Sequence, residues 1–347
     1  MISAKKIKHE IERFAQMRCF IDSLLRDVIR NSNFRIEQNK IAKSAYDVLT
    51  AACERGDGEV AMVTKLCDDL HGKSCGKAKI CAKKVHGNSN SSGSMVTFHN
   101  GSKKVTKELA DMVIISLATQ DKEIVFEKIA FIQNKKEGKS RAGKWEICPD
   151  QLYLLHNFPT FDGVSGVFGR QRDVALSNAF GRLGNYGLFT ADGDMVFANA
   201  RIINAIQEGK TVSFDRIRNA TVKSQSNNAG PFLFDPMLME ELYHFTKHYH
   251  WMPPFAGMPV LGDCDIALNL YQFIRNWTQF NIGETIVCRG RVISGDLANL
   301  ADCFIKSLGV RKNFDYIPVE TNDRNEWSPE FDGAVLVLHY DMGKDNY

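Results

Sequence analysis

Between residues 3 and 30, apolar side chains return every three or four positions (Ile7, Ile11, Phe14, Ile21, Leu24, Val28) with charged residues between them. That spacing predicts an amphipathic helix, closed by Asn31-Ser32-Asn33. A second helix is expected over Ile41–Cys53, stopped by Gly56-Asp57-Gly58, and a third over Glu59–Leu70, ended by His71-Gly72. After the polar stretch Lys73–Ser94, whose Gly87–Ser94 part reads as a loop, the texture changes from helical to extended. Met95–Phe98 is a short strand followed by a turn at Asn100-Gly101-Ser102. Leu109–Ser116 is apolar on both faces except for Asp111, the pattern of a central buried strand. A polar turn at Thr119–Glu123 leads into Ile124–Lys135, a strand that begins apolar and ends polar. Glu137–Lys144 reads as a loop and Pro149–His156 as a helix. Beyond a break at Phe158–Gly163 come the glycine-rich segment Gly163–Gly187, helices near Pro236–His248, Cys264–Phe280 and Asp296–Leu308, and a terminal strand Gly333–Tyr340. These elements divide the chain into an N-terminal helical region (1–57), a mixed core (58–160) and a C-terminal α/β region (161–347).

Length and charge sharpen this picture. A chain of 347 residues with ordinary proportions of apolar and charged side chains excludes collagen-like and disordered classes. Its apolar runs are far shorter than the ~18 residues of a membrane span, and its beginning carries no apolar signal core, so a cytoplasmic protein is expected. The nine cysteines are scattered without a C-x-x-C pair, which argues against a disulfide framework. The net charge of +3 conceals an asymmetry: residues 1–150 carry +8 and the remainder −5. Nine lysines and two acids fall within Lys65–Lys107, among them Lys103 and Lys104. Such a field suits a polyanion, because lysines and arginines gain affinity by releasing phosphate counterions; a solvated lysine-rich surface is the alternative.

The chemistry concentrates in two adjacent strands. Asp111 is a lone carboxylate in apolar chain, and the second strand ends Gln133-Asn134-Lys135-Lys136. Residues i and i+2 of a strand share a face, so Gln133 and Lys135 point the same way. If the strands pair, Asp111 and Gln133 offer hard oxygens beside an ammonium group, a set that suits Mg²⁺ or Mn²⁺ completed by water and phosphate. Asp111 followed by Gln133-Asn134-Lys135 resembles the PD-(D/E)XK superfamily of restriction-endonuclease-like nucleases, over about residues 58–160. Ala110 stands where the family's name places its proline, and Gln133 replaces the third-strand acid, as in the Mrr-like branch.

The resemblance implies an α/β (α+β) fold: a mixed sheet flanked by helices, with N-terminal helices and a C-terminal α/β extension. It implies a Mg²⁺- or Mn²⁺-dependent endonuclease acting on DNA in preference to RNA, in prokaryotic restriction or anti-phage defence. Asp111, Gln133 and Lys135 would be catalytic, and Asp111, Gln133 and Glu59 would hold the metal, with Glu108 and Glu12 as substitutes for Glu59. Gln151 on the following helix could face the same site. Lys136, Lys103, Lys104, Arg170 and Arg172 would contact nucleic acid, and a homodimer or an activating subunit would be the further association. The alternative is a catalytically weak or inactive nucleic-acid-binding or regulatory subunit on the same fold. Two further clusters have metal-ligand character: Cys67, His71, Cys75, Cys81 and His86, and the helical pair His244 and His248. Neither spacing is that of a zinc motif, and buried thiols and a partly exposed helix face are the simpler readings.

Overall fold

The computed structural model describes residues 32–85, 94–138, 142–169, 171–179, 181–226, 264–308 and 331–343. The helices expected over 3–30 and 236–248 and the loop over 87–93 lie outside the described residues, as do Glu12, His86, Arg170, His244 and His248.

Helix α1 (Ser32–Glu54) begins nine residues earlier than its aliphatic pattern suggests. Phe34 and the buried Gln38 extend its inward stripe of Ile41, Ala45, Leu49 and Ala52. The Gln38 amide donates to Thr278 Oγ1 at 2.7 Å, so a polar residue serves as a core position. Helix α2 (Glu59–Leu70) has the expected bounds and buries Met62, Val63, Leu66, Cys67 and Leu70.

A ten-stranded sheet organises the molecule. Strand β1 (Ser74–Cys75) pairs with β2 (Ala78–Val85) in a hairpin at one edge. The hairpin of β3 (Met95–Asn100) and β4 (Lys103–Glu108) lies apart from it. Strand β5 (Met112–Gln120) is buried at every position but the last, as its two-sided apolar run predicts. It turns through Asp121 and Lys122, both with positive φ (50° and 71°), into β6 (Glu123–Lys136). Two left-handed residues match the twist of a tight hairpin. β7 (Lys144–Glu146) follows, then α3 (Pro149–Asn157) and β8 (Phe161–Gly163).

The chain was expected to part at Phe158–Gly163, yet β8 pairs with β3 there. The sheet also draws on both sides of residue 160. β9 (Gly184–Phe189) runs parallel to the end of β6, and β10 (Met195–Asn199) pairs antiparallel with β9. After α4 (Ala200–Ile206), β11 (Thr211–Ser213) pairs with β7, and α5 (Phe214–Ser226) follows. β12 (Ile266–Ala267) joins β10, and α6 (Leu270–Thr278) follows it. β13 (Glu284–Cys288) pairs with the middle of β6 and with β14 (Arg291–Val292), which precedes α7 (Gly295–Ser307). Strand β15 (Gly333–Asp341) inserts between β2 and β5, antiparallel to the first and parallel to the second.

Helices cover both faces of this mixed sheet. Residues of α1, α2 and α6 (Leu49, Leu66, Trp277) pack on one face with Ile114, Ile132 and Leu336. Residues of α3, α4 and α7 (Leu155, Ile203, Phe304) pack on the other with Ile115, Phe131 and Val335. The expected α+β class is therefore the observed one. Burial of each large apolar side chain contributes about 1.5–3 kcal/mol. A shift of β5 along its neighbours would forfeit several such terms, so the position of Asp111 just before it is fixed. Among the described residues, no helix is long and apolar enough to cross a membrane.

Candidate active site at the end of β6

Asp111 lies one residue before β5, where it was expected inside the strand. The β5–β6 register pairs Met112 with Ile132, which brings Asp111 level with Gln133. Four hydrogen bonds lock its backbone and carboxylate. The Asp111 N–H donates to Ile132 O at 3.1 Å, and Asp111 O accepts from the Ala334 N–H at 2.9 Å. Oδ2 accepts the Asn134 N–H at 2.6 Å and a hydrogen bond from the Gln133 side-chain amide. Burial pushes the Asp111 carboxyl above the usual carboxylate range, and the Glu59 charge adds to this; the Asn134 N–H, the Lys135 ammonium and the Gln133 amide oppose it.

Lys135 lies two residues beyond Gln133, on the same strand face. Its Nζ is 3.4 Å from Glu59 Oε2, while Glu59 Oε1 accepts the Lys136 N–H at 2.9 Å. Glu59 opens α2, and its carboxylate ties that helix to the end of β6. It was expected beside Asp111 as an oxygen ligand; its hydrogen bonds go to Lys135 and Lys136 instead, and its charge acts on Asp111 from there. Of the residues expected on nucleic acid, Lys136 donates to Asp57 O at 2.5 Å. Lys103 pairs with Asp150 at 2.8 Å, Arg172 pairs with Asp162 at 2.9 Å, and Lys104 is exposed on β4.

Two residues near the site act through the backbone or by charge. Gln151 on α3 is buried, and its amide donates to Glu108 O at 2.7 Å, bracing the segment that carries Asp111. The carboxyl of Glu108 itself is pushed up to about 7, chiefly by burial and then by Asp111 and Asp332, against the pull of Lys84 and Lys135. The E-x-x-D spacing of Glu108 and Asp111 is the sequence signal for this coupling. Lys135 also lines a cleft of about 380 Å³ with Glu146, Ile147, Cys148, Pro149 and Lys210. Sequence reasoning missed Cys148 and Lys210, because a single cysteine and a loop lysine carry no local pattern.

Among the described residues, Cys67, His71, Cys75 and Cys81 do not assemble into a metal site. Cys67 and Cys75 are fully buried, and burial pushes both thiols up to about 12. His71 Nδ1 accepts the Ala82 N–H at 3.3 Å, which occupies that nitrogen. Among the described residues, no three His, Cys, Asp or Glu side chains gather where a metal could be held.

The fold and this strand-end group of side chains define a mixed α/β protein with one buried carboxylate facing an amide beside a lysine. Comparison with known proteins finds no matching family model, no similar curated protein and no similar solved structure.

Proposed function

We propose that this chain is a metal-dependent nuclease that hydrolyses phosphodiester bonds of DNA at the end of β6. The observation that carries the reading is the meeting of Asp111 and Gln133 across the β5–β6 pair, with Lys135 on the same strand face and open to a cleft. The donors fit Mg²⁺ or Mn²⁺ as a hard-oxygen pair: a carboxylate and an amide whose oxygen and nitrogen exchange places by rotation. Bound there, the ion would polarise a phosphate oxygen and lower the pKa of a water.

The protein's own groups divide the remaining work. Asp111 supplies the one anionic ligand, held in place by the Asn134 N–H. Lys135 offsets the charge that builds on the attacked phosphate, and it acts strongly because it is partly shielded from water. Glu59 positions Lys135 by holding both its ammonium and the next backbone N–H.

A catalytically weak or inactive nucleic-acid-binding subunit is the second reading. It is favoured by the engagement of Glu59 with Lys135 and Lys136, which leaves Asp111, among the described residues, as the carboxylate that meets Gln133. Incubation with supercoiled, linear and single-stranded DNA in Mg²⁺ or Mn²⁺ separates the two. Cleavage that chelator abolishes supports the nuclease; salt-sensitive DNA binding without cleavage supports the second reading. An affinity for DNA that is flat across salt removes both.

A further inference from the structure

Asn134 stands between the two functional residues of β6, and its side chain points away from theirs. Successive strand residues alternate between the faces of a sheet. Phe131 packs on the α3 side and Ile132 on the α2 side, so Gln133 and Lys135 follow the first and Asn134 follows the second. Asn134 is fully buried there, and its carboxamide has no hydrogen-bond partner among the described residues. A buried amide left in this way opposes folding, so stability does not account for its place.

Its two neighbouring strands do. Toward β5, the Asn134 N–H meets a strand that begins only at Met112, opposite Ile132. Asp111 Oδ2 stands in for a β5 carbonyl and accepts this N–H at 2.6 Å. Toward β9, Asn134 faces Gly187. A Cβ at Gly187 would collide with Asn134 Oδ1 and would lie 3.3 Å from Ile132 Cγ2. The missing side chain is therefore the notch in which the carboxamide lies. One residue is held from both sides, by its N–H toward Asp111 and by its side chain over Gly187.

The notch also fixes register. A slip of β9 by one residue would turn its side chains to the other face. A slip by two would set Asn185 or Phe189 where Gly187 stands, and either side chain would take the space of the carboxamide. The pairing is closed at its two ends by the Phe131 N–H to Leu183 O at 2.7 Å and the Glu137 N–H to Phe189 O at 2.9 Å.

We propose that Gly187 is a positioning residue for the site at the end of β6: the room it leaves for the Asn134 side chain sets the Asn134 N–H where it holds Asp111. The use of that site in phosphodiester hydrolysis rests on the function proposed above; the coupling of Gly187 to Asp111 does not. Through this coupling a strand beyond residue 160 becomes part of the site.

Two readouts test it in the full chain. The first is deuterium exchange of the residue-134 amide, resolved by NMR. An amide bonded inside a buried sheet exchanges slowly, and Gly187→Ala is expected to speed residue 134 at least about tenfold more than Ala130 and Phe131 of the same strand. Adding Asn134→Ala removes the side chain that the new Cβ would strike, so the double variant is expected to recover slow exchange at residue 134. The second readout is steady-state DNA cleavage in Mg²⁺. A misplacement on the order of an ångström costs about a hundredfold, so Gly187→Ala is expected to lose about that much in kcat with KM unchanged. The double variant is expected to regain most of it.

Equal acceleration all along β6 would make Gly187 a packing residue only and overturns the proposal. So does slow exchange at residue 134 in Gly187→Ala, a rise in KM at constant kcat, or a double variant no better than the single one. If Gly187→Ala does not fold, the double variant carries the test: it is expected to fold and to protect residue 134, and its failure to fold overturns the proposal. A parent chain that cleaves no DNA while the exchange results hold removes the nuclease reading and leaves the coupling of Gly187 to Asp111 in place.

Discussion

At the scale of the residue, the site turns on what each side chain exchanges with its neighbour. Lys135→Ala should abolish metal-dependent cleavage of plasmid while changing stability by only about 0–1 kcal/mol, because its ion pair with Glu59 is partly exposed. Unchanged cleavage by the purified variant would remove the proposed site. Gln133→Glu replaces an amide that donates to Asp111 with a second carboxylate. Without metal the two charges repel and the donor is lost, so the variant should be destabilised by about 1–3 kcal/mol. Added Mg²⁺ should relieve this if Gln133 is a ligand, and a melting temperature indifferent to Mg²⁺ would show that it is not.

Glu108 adds a pH dependence. Its carboxyl lies at about 7 in the folded chain, above the ordinary value near 4.5. The native state therefore holds this proton more tightly than the unfolded chain. The resulting stabilisation is complete below about pH 4.5 and is lost as pH rises through about 7. Glu108→Gln, neutral at every pH, should match the parent near pH 4.5 and melt at a higher temperature at pH 8. A difference that does not grow with pH across this window would refute the assignment.

At the scale of the element, the critical contact is between α3 and the start of β9. A Cβ at Gly184 would stand 2.1 Å from Leu155 O, a backbone atom that cannot yield without moving the helix. Gly184→Ala should therefore cost about 1–3 kcal/mol or more, the range of overpacked cores. It should also displace α3, and with it the Gln151 bond to Glu108 O and the α3 side of the cleft. Denaturant melts and the alkylation rate of Cys148 measure the two effects; a variant with parental stability would show that α3 is not clamped to the sheet there.

At the scale of the whole molecule, stability depends on strands distant in sequence. β15 is buried along most of its length and separates β2 from β5, pairing with each over eight residues. Removing residues 333–347 would expose the inner edges of both strands and delete Ala334, whose N–H holds Asp111 O. The truncated chain should fail to give a cooperative melt or DNA cleavage; a truncated chain that melts like the parent would show that β15 is dispensable.

How much of this was legible beforehand follows from where the information lies. The bounds of α2, the two-sided burial of β5, the polar end of β6 and the strand β15 follow from local periodicity, because burial on one or both faces writes itself into successive residues. The meeting of Asp111 and Gln133 was legible too, since a tight turn fixes the register of a hairpin whose strands are adjacent in sequence. By contrast, the insertion of β15 beside β5, the placement of β9 beside β6, the attachment of Glu59 to Lys135 and Lys136 and the gathering of Lys135, Cys148 and Lys210 around one cleft were decided only in three dimensions. Pairings between distant segments depend on packing over the whole core, which leaves no periodic trace in either segment alone.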